Sequence, residues 1–339
     1  MARTKSVTVQ QINLTGFRSI AAYMTDMSEW LSDAGERETV FDEMRDDGRV
    51  ESLVQNRKKK VLQMTGSFTE TKNKTVNEAC ENVLTFNVFY ALNNIMLNAV
   101  PYGIAACEVL WKYTMGYYLP AGFVPIPRTA LSFPQHSEHG FYTPVITQQN
   151  LVLDDERKFL IHRNDDGELS QWGRPVLRSA YVFWKFKQLG VEFWAKAAQI
   201  VGVPSILALF EAKSENEAKT RAKNLTDILS EWQSGSSGAF GNVKDIKVIS
   251  SQINDFDTLI KTCNTEIAYA LTGQSLATNE GQYGTRAQGD VHSEVYDETI
   301  KGDAYLLQKT DQKLVNAFVE LNFPGEVAPQ YDIDSTDFA

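Results

Sequence analysis

Hydrophobic and polar positions follow three rhythms along this chain, and each rhythm predicts a different element. Between residues 75 and 98, "TVNEACENVLTFNVFYALNNIMLN" places Val76, Ala79, Val83, Phe86, Leu92 and Leu97 three to six apart, a broad apolar face that reads as one amphipathic helix. Thr75 and Glu78 have the spacing of a capping box at its start. Upstream, "FDEMRDDGRVESLVQNRKKKVLQMTGSFTE" reads as a helix and then a strand over about 60–70. The first 44 residues are polar and weakly patterned, an arm with a short helix expected near 19–31. The Arg57–Lys60 cations read as a solvated helix end, because positive charge there complements the helix dipole; contact with a phosphate is the alternative.

After Pro101-Tyr102-Gly103 the rhythm shortens. "IAACEVLWKYTMGYYLPAGFVPIPRTALSFP" reads as strands joined by Gly and Pro turns, with further strands around Val145–Ile146 and Lys158–Arg163. The segment 45–172 is therefore expected to be an α+β domain.

The third rhythm is long and nearly all apolar. "GRPVLRSAYVFWKFKQLGVEFWAKAAQIVGVPS" spans 173–205, with Pro175 suited to a first helical turn and Gly202 and Pro204 as stops. Arg178, Lys185, Gln188, Glu192, Lys196 and Gln199 form one narrow polar stripe. Phe183, Trp184, Phe186, Phe193 and Trp194 occupy much of the rest, so this helix must be packed over most of its circumference, within the chain or by neighbouring subunits.

A small β-α-β unit follows at 203–251: the strand "PSILALFE", a helix with Ser214 and Glu217 as a capping box, the linker "SGSSGAFGN" and the strand "VKDIKVIS". A helix is expected over about 255–271, stopped by Gly273. A soft polar loop separates it from a long helix over 285–322, whose apolar side carries Val291, Val295, Ile300, Ala304, Leu307, Leu314, Phe318 and Leu321. Residues 323–339 read as a short polar tail.

Composition narrows the function classes. Among 339 residues, 43% are hydrophobic and 22% charged, an ordinary globular balance. The net charge of -10 argues against tight binding of nucleic acid over a broad surface. Cys80, Cys107 and Cys263 are far apart, with no metal or redox spacing, and fit a reducing compartment. No apolar run reaches the length of a membrane span, and "MARTKSVTVQQINLTGF" lacks the apolar region of a signal peptide, so no membrane association is expected. The loop at 273–289 contains no P-loop pattern, and its "GQYGTRAQG" does not follow a strand, so a dinucleotide site fails its context test. His292 reads as a surface histidine. The pairs Asp46–Asp47, Asp154–Asp155 and Asp165–Asp166 suit solvated turns better than a Mg²⁺ site. No catalytic residue, metal site or cofactor is expected.

The order of these parts resembles that of phage portal proteins, and in detail the Mu-like portal family. The resemblance rests on "NAVPYGIAACEVLWKY" (98–113), "GRPVLRSAYVFWKFKQLGVEFWAKAAQIVGVPSI" (173–206) and "GQSLATNEGQYGTRAQGDVHSEVYDETIKGDAYLL" (273–307). It implies a portal fold: an N-terminal arm (1–44), an α+β wing (45–172), stem helices (173–202 and 252–273), a small α/β clip (203–251), a tunnel loop (274–290), a long wing helix (285–322) and a tail (323–339). It further implies a ring, usually of twelve copies, at one capsid vertex of the virion, assembled in the host bacterial cytoplasm. Double-stranded DNA would be packaged and ejected through its channel. The implied protein partners are the terminase large subunit, the major capsid or scaffold protein, and the neck adaptor. The implied DNA-channel residues are Gln274, Asn279, Gly281, Gln282, Tyr283, Gly284, Thr285 and Arg286. Arg178, Lys185, Glu192 and Lys196 become channel-facing candidates on the stem, and Phe183, Trp184, Phe186, Phe193 and Trp194 its packing residues. Mu-like portals generally continue into a helical crown, which is expected to be reduced or absent here. Two alternatives stay open: a head–tail adaptor or other ring component, and a metal-dependent DNA-processing enzyme using the Asp pairs.

Overall fold

A computed structural model describes residues 34–133, 143–164, 170–202, 205–209, 214–232, 245–249, 256–274 and 286–334. The expected helix at 19–31, Asp165–Asp166 and the linker "SGSSGAFGN" lie outside the described residues. The chain divides into two compact units, Met1–Val182 with Glu266–Ala339, and Phe183–Thr265.

The first unit begins with helices α1 (Ala34–Arg45) and α2 (Gly48–Leu62). Asp47 caps α2, its Oδ1 accepting from the backbone N–H of Arg49 at 2.9 Å and of Val50 at 3.5 Å. Because α2 runs on to Leu62, the strand expected over 60–70 is confined to β1, Gly66–Thr69.

The single helix expected over 75–98 is instead two, α3 (Lys74–Val83) and α4 (Phe86–Met96), and a short helix α5 (Ala99–Tyr102) follows. The cap of α3 is Asn73, whose Oδ1 accepts from Thr75 N and Val76 N, so the Thr75–Glu78 box does not start this helix. The break has a geometric cause. At about 100° per residue, Phe89, Leu92 and Met96 would point to roughly the opposite side of a straight helix from Val76, Ala79 and Cys80. All six are buried. A 64° bend, with extended backbone at Thr85, brings both sets into one core.

Strand β2 (Ile104–Thr114) lies between β3 (Tyr117–Ile126) and β7 (Phe159–Arg163), antiparallel to both. Met115 and Gly116, with φ of 53° and 87°, make the two-residue turn between β2 and β3. Positive φ at both positions matches the twist of such hairpins. Short strands β4 (Leu131–Ser132), β5 (Val145–Ile146) and β6 (Leu151–Val152) form a second small antiparallel sheet.

The longest element is helix α9 (Arg286–Asn322), close to the range its periodicity predicts. Ile300, Ala304, Leu307, Leu314, Val315, Phe318 and Val319 are each at most 2% exposed. They share a core with Cys80, Phe89, Leu92, Met96 and Leu160. Burying one such large side chain contributes roughly 1.5–3 kcal/mol, so this face of α9 organises the unit. The C-terminal segment contains a strand, β10 (Gln330–Ile333), antiparallel to β1. Tyr331 holds it there, stacked on Phe89 with ring centroids 4.0 Å apart. Two apolar residues alternating with two polar ones are too short a signal to stand out from a polar tail.

The second unit takes in most of helix α6 (Val176–Gly202), which begins directly after Pro175. Strand β8 (Ser205–Leu209), helix α7 (Glu215–Trp232) and strand β9 (Asp245–Ile249) follow, and β8 pairs antiparallel with β9. Ser214 Oγ accepts from Glu217 N at 3.3 Å, the Ser half of the expected capping box. Helix α8 (Phe256–Thr272) then leads back toward the first unit's sequence. Among the described residues no single helix is long and apolar enough to cross a membrane.

Candidate functional site

The residues singled out from sequence fall in two places: helix α6 with its polar stripe, and the loop between α8 and α9, of which the base is described. On α6, Arg178, Glu192 and Lys196 are exposed and Lys185 is half-buried. Lys196 and Glu192 form an ion pair one turn apart, and that pair holds the Glu192 carboxyl below its usual range. Of the five aromatic residues expected to pack, only Trp184 is buried, at 5% exposure. Phe183, Phe186 and Phe193 are half-buried, and Trp194 is 47% exposed. Val191 on α6 and Leu259 and Tyr269 on α8 are exposed as well. The chain by itself therefore covers only part of the apolar surface of these helices. Gly190 on α6 sits where a β-carbon would come 3.0 Å from Leu259 Cδ2, so the two helices approach closely there.

The loop base is built differently. Helix α8 ends at Thr272, whose buried Oγ1 donates to Ala268 O, and Gly273 follows with φ of 74°. That left-handed conformation suits glycine and ends the helix. Arg57 on α2 donates from Nη1 to the carbonyl of Leu271 at 2.7 Å, meeting one of the last unpaired carbonyls of α8. The same guanidinium makes a two-point pair with Asp303 on α9, at 2.6 and 2.7 Å. Arg57 is 8% exposed and Asp303 5%. One buried side chain thus ties α2, the end of α8 and α9 together.

Three of the four cations of the Arg57–Lys60 cluster are accordingly engaged within the chain, and Lys59 is exposed as a solvated helix end would be. Besides Arg57, Lys58 donates to Asn94 O and to Asn98, and its amine is pushed down to about 8, by burial first and then by Arg45. Lys60 pairs with Asp297 at 2.9 Å and lies over the Tyr296 ring. The sequence carried one signal for this arrangement. Asp303 falls on the same helical face as Ile300, Ala304 and Leu307, and a carboxylate inside an apolar face requires a partner.

Of the loop residues singled out from sequence, Gln274 is placed and is buried at 5% exposure. It therefore sits at the base of the loop, covered within the single chain. Asn279, Gly281, Gln282, Tyr283, Gly284 and Thr285 lie outside the described residues, as do the side chains of Arg286 and His292.

One member of each described acidic pair has a structural role. Asp47 is a helix cap. Asp155 accepts from Arg157 N and pairs with the Arg157 guanidinium, which holds its carboxyl below the usual range. Among the described residues no three His, Cys, Asp or Glu side chains are grouped to hold a metal ion.

Comparison with known proteins bears on the whole arrangement. A family model described as the portal protein of Mu bacteriophage matches residues 39–338. Among solved structures, a chain in the neck of an empty gene transfer agent (GTA) particle computed with C6 symmetry is 11% identical with a TM-score of 0.56, covering 84% of this chain and 80% of that one. A chain in the virion of a native GTA particle is 12% identical with a TM-score of 0.55, covering 94% and 90%. A chain in the neck of a native GTA particle computed with C12 symmetry is 12% identical with a TM-score of 0.55, covering 86% and 83%. At these identities the likeness is one of fold. Among curated protein sequences, none matches.

Proposed function

This chain belongs to the portal protein family of Mu bacteriophage, and on that premise we propose that twelve copies close into a ring at one capsid vertex and pass double-stranded DNA through its centre. Its function is that of a phage portal protein, and its place is the phage particle. The observation that carries the ring is the apolar surface left open on the stem helices. Trp194 is 47% exposed, and Val191, Leu259 and Tyr269 are exposed with it. Side chains of this size gain roughly 1.5–3 kcal/mol each on full burial, and lateral packing of α6 and α8 against neighbouring copies would supply it. The C12 symmetry used for the similar neck structure agrees with twelve copies.

The parts divide as follows. Residues 45–172 with α9 form the wing, α6 and α8 the stem, and 203–251 the clip. Among the described residues the β8–β9 sheet has two strands, too few for stability on its own. Strands from neighbouring clips would complete it, at the end that docks the terminase large subunit during packaging and the neck adaptor afterwards. The net charge of -10 suits a conduit, since many cationic contacts to phosphates would hold DNA in place.

The loop after Gln274 is the channel constriction in this reading. Asn279, Gln282 and Thr285 offer neutral hydrogen-bonding groups, Arg286 one cation, and Gly281 and Gly284 backbone freedom. Replacing Gly281 and Gly284 together with Val, or Arg286 with Glu, is expected to leave ring assembly intact and to lower DNA packaging or retention severalfold. Heads that fill and hold DNA at wild-type levels with both sets of changes would reduce the loop to a passive connector.

A further inference from the structure

We infer that Asp311 and Asn93 form a proton-bearing carboxylic acid–amide pair that latches α9 to α4 in the core of the first unit. Asp311 on α9 is 0% exposed and Asn93 on α4 is 8% exposed. Asn93 Nδ2 donates to Asp311 Oδ2 at 3.2 Å. The other oxygen of each side chain, Asp311 Oδ1 and Asn93 Oδ1, is buried without a hydrogen-bond partner. Buried polar atoms are rarely left so, and two orphans on an already bonded pair have a common remedy. An ionised carboxylate only accepts, and it has nothing to give an amide oxygen. A neutral carboxyl has one O–H to donate. With the proton on Asp311 Oδ1, that O–H donates to Asn93 Oδ1 while Asn93 Nδ2 donates to Asp311 Oδ2. The two bonds close a ring, and both orphans are satisfied.

The surroundings favour the neutral form. Among the described residues, α4, β10 and β7 bring polar groups toward this stretch of α9, and none of those groups is a cation paired with Asp311. Asn93 comes from α4. From β10 comes Tyr331, whose hydroxyl is pushed up by burial and then by Asp311. From β7 comes His162, bonded through Nδ1 to Thr310 Oγ1 at 2.9 Å and pushed down to about 4 by burial and then by Arg163. On α2, Arg57 and Lys60 are taken up by Asp303 and Asp297. On α9 itself, Lys313 pairs with Glu156. The Asp311 carboxyl is accordingly pushed up to about 8, by burial, against the opposing hydrogen bond from Asn93.

The consequence is a stability that falls as pH rises. An unfolded Asp releases its proton near pH ~3.9, while the folded chain keeps it until about 8. Across that window the folded state binds one more proton than the unfolded state. The unfolding equilibrium constant should then rise up to about tenfold per pH unit from this group alone. The test is denaturant unfolding of the purified full chain across that window, for the wild type and for Asp311→Asn, with infrared spectra of the folded wild type alongside. The ratio of wild-type to variant unfolding constants should climb steadily with pH. The folded wild type at pH 7 should show the carbonyl band of a buried protonated carboxyl, which disappears on raising the pH past 8. Parallel pH profiles for the two proteins would overturn the inference. So would the lack of a protonated-carboxyl band at pH 7, a measurement that holds even if Asp311→Asn does not fold.

Discussion

Replacing Arg57 with Met is expected to destabilise the first unit by about 3–5 kcal/mol, the usual cost of leaving one member of a buried ion pair without its partner. The loss has two parts. The Asp303 carboxylate would stay 5% exposed with no cation on it. The Leu271 carbonyl at the end of α8 would lose its donor. Asp303→Asn should cost a similar amount, because the buried Arg57 guanidinium keeps its charge and loses its counter-charge, although the amide oxygen can still accept one hydrogen bond from it. The double change Arg57→Met with Asp303→Leu should recover much of the loss, since packed apolar side chains often replace a buried pair without penalty. Denaturant unfolding of the four proteins measures all three values. If Arg57→Met cost under about 1 kcal/mol, in the range of exposed pairs, the clamp would have no energetic standing.

A comparably large effect is expected at the joint that launches α6. Gly103, with φ of 94°, ends α5, and Gly173, with φ of 67°, precedes α6. A β-carbon on Gly103 would overlap the Trp172 carbonyl oxygen, and one on Gly173 the Gly103 carbonyl oxygen. The backbone is tightly tied here. Asn164 N donates to Gly103 O, and Arg174 N to Asn164 O, both at 2.9 Å. Neither contact can relax by a side-chain rotation. Gly103→Ala and Gly173→Ala are each expected to cost roughly 2–4 kcal/mol, from left-handed backbone strain together with the forced shift. Gly116→Ala is the control. It also has positive φ, of 87°, but a β-carbon there meets nothing within 4 Å. It should therefore carry only the backbone strain, about 1–2 kcal/mol, without the added overlap. Equal thermal midpoints for Gly103→Ala and Gly116→Ala would contradict the close approach.

These two sites also show where sequence reading stops. Long elements with sustained periodicity were legible: α6, α8 and α9 lie within a few residues of their expected ranges. The break at Thr85 was legible in principle, because the apolar positions on either side of it point to opposite sides of a straight helix. A repeating apolar spacing hides that slow rotation unless angles are counted. Strand β10 has no periodic signal of its own and is fixed by Tyr331 against Phe89. The Arg57–Asp303 pair joins residues 246 apart, and no local pattern supplies that distance relation. The sequence does mark one half of it, through Asp303 and likewise Asp311 on the buried face of α9. Arg57 was hidden inside a basic run in which Lys58 and Lys60 make different contacts and Lys59 is exposed. Helix α6 was legible as a helix short of packing partners, and Trp194 shows the shortage to be real within one chain.

The central claim is a closed ring, and electron microscopy of the purified full chain at high protein concentration, and of portal vertices in assembled heads, tests it most directly. The account predicts rings with a central opening and twelvefold rotational symmetry, with α6 and α8 packed side by side between copies. Monomers at every concentration, and no ring at the vertex of assembled heads, would contradict it.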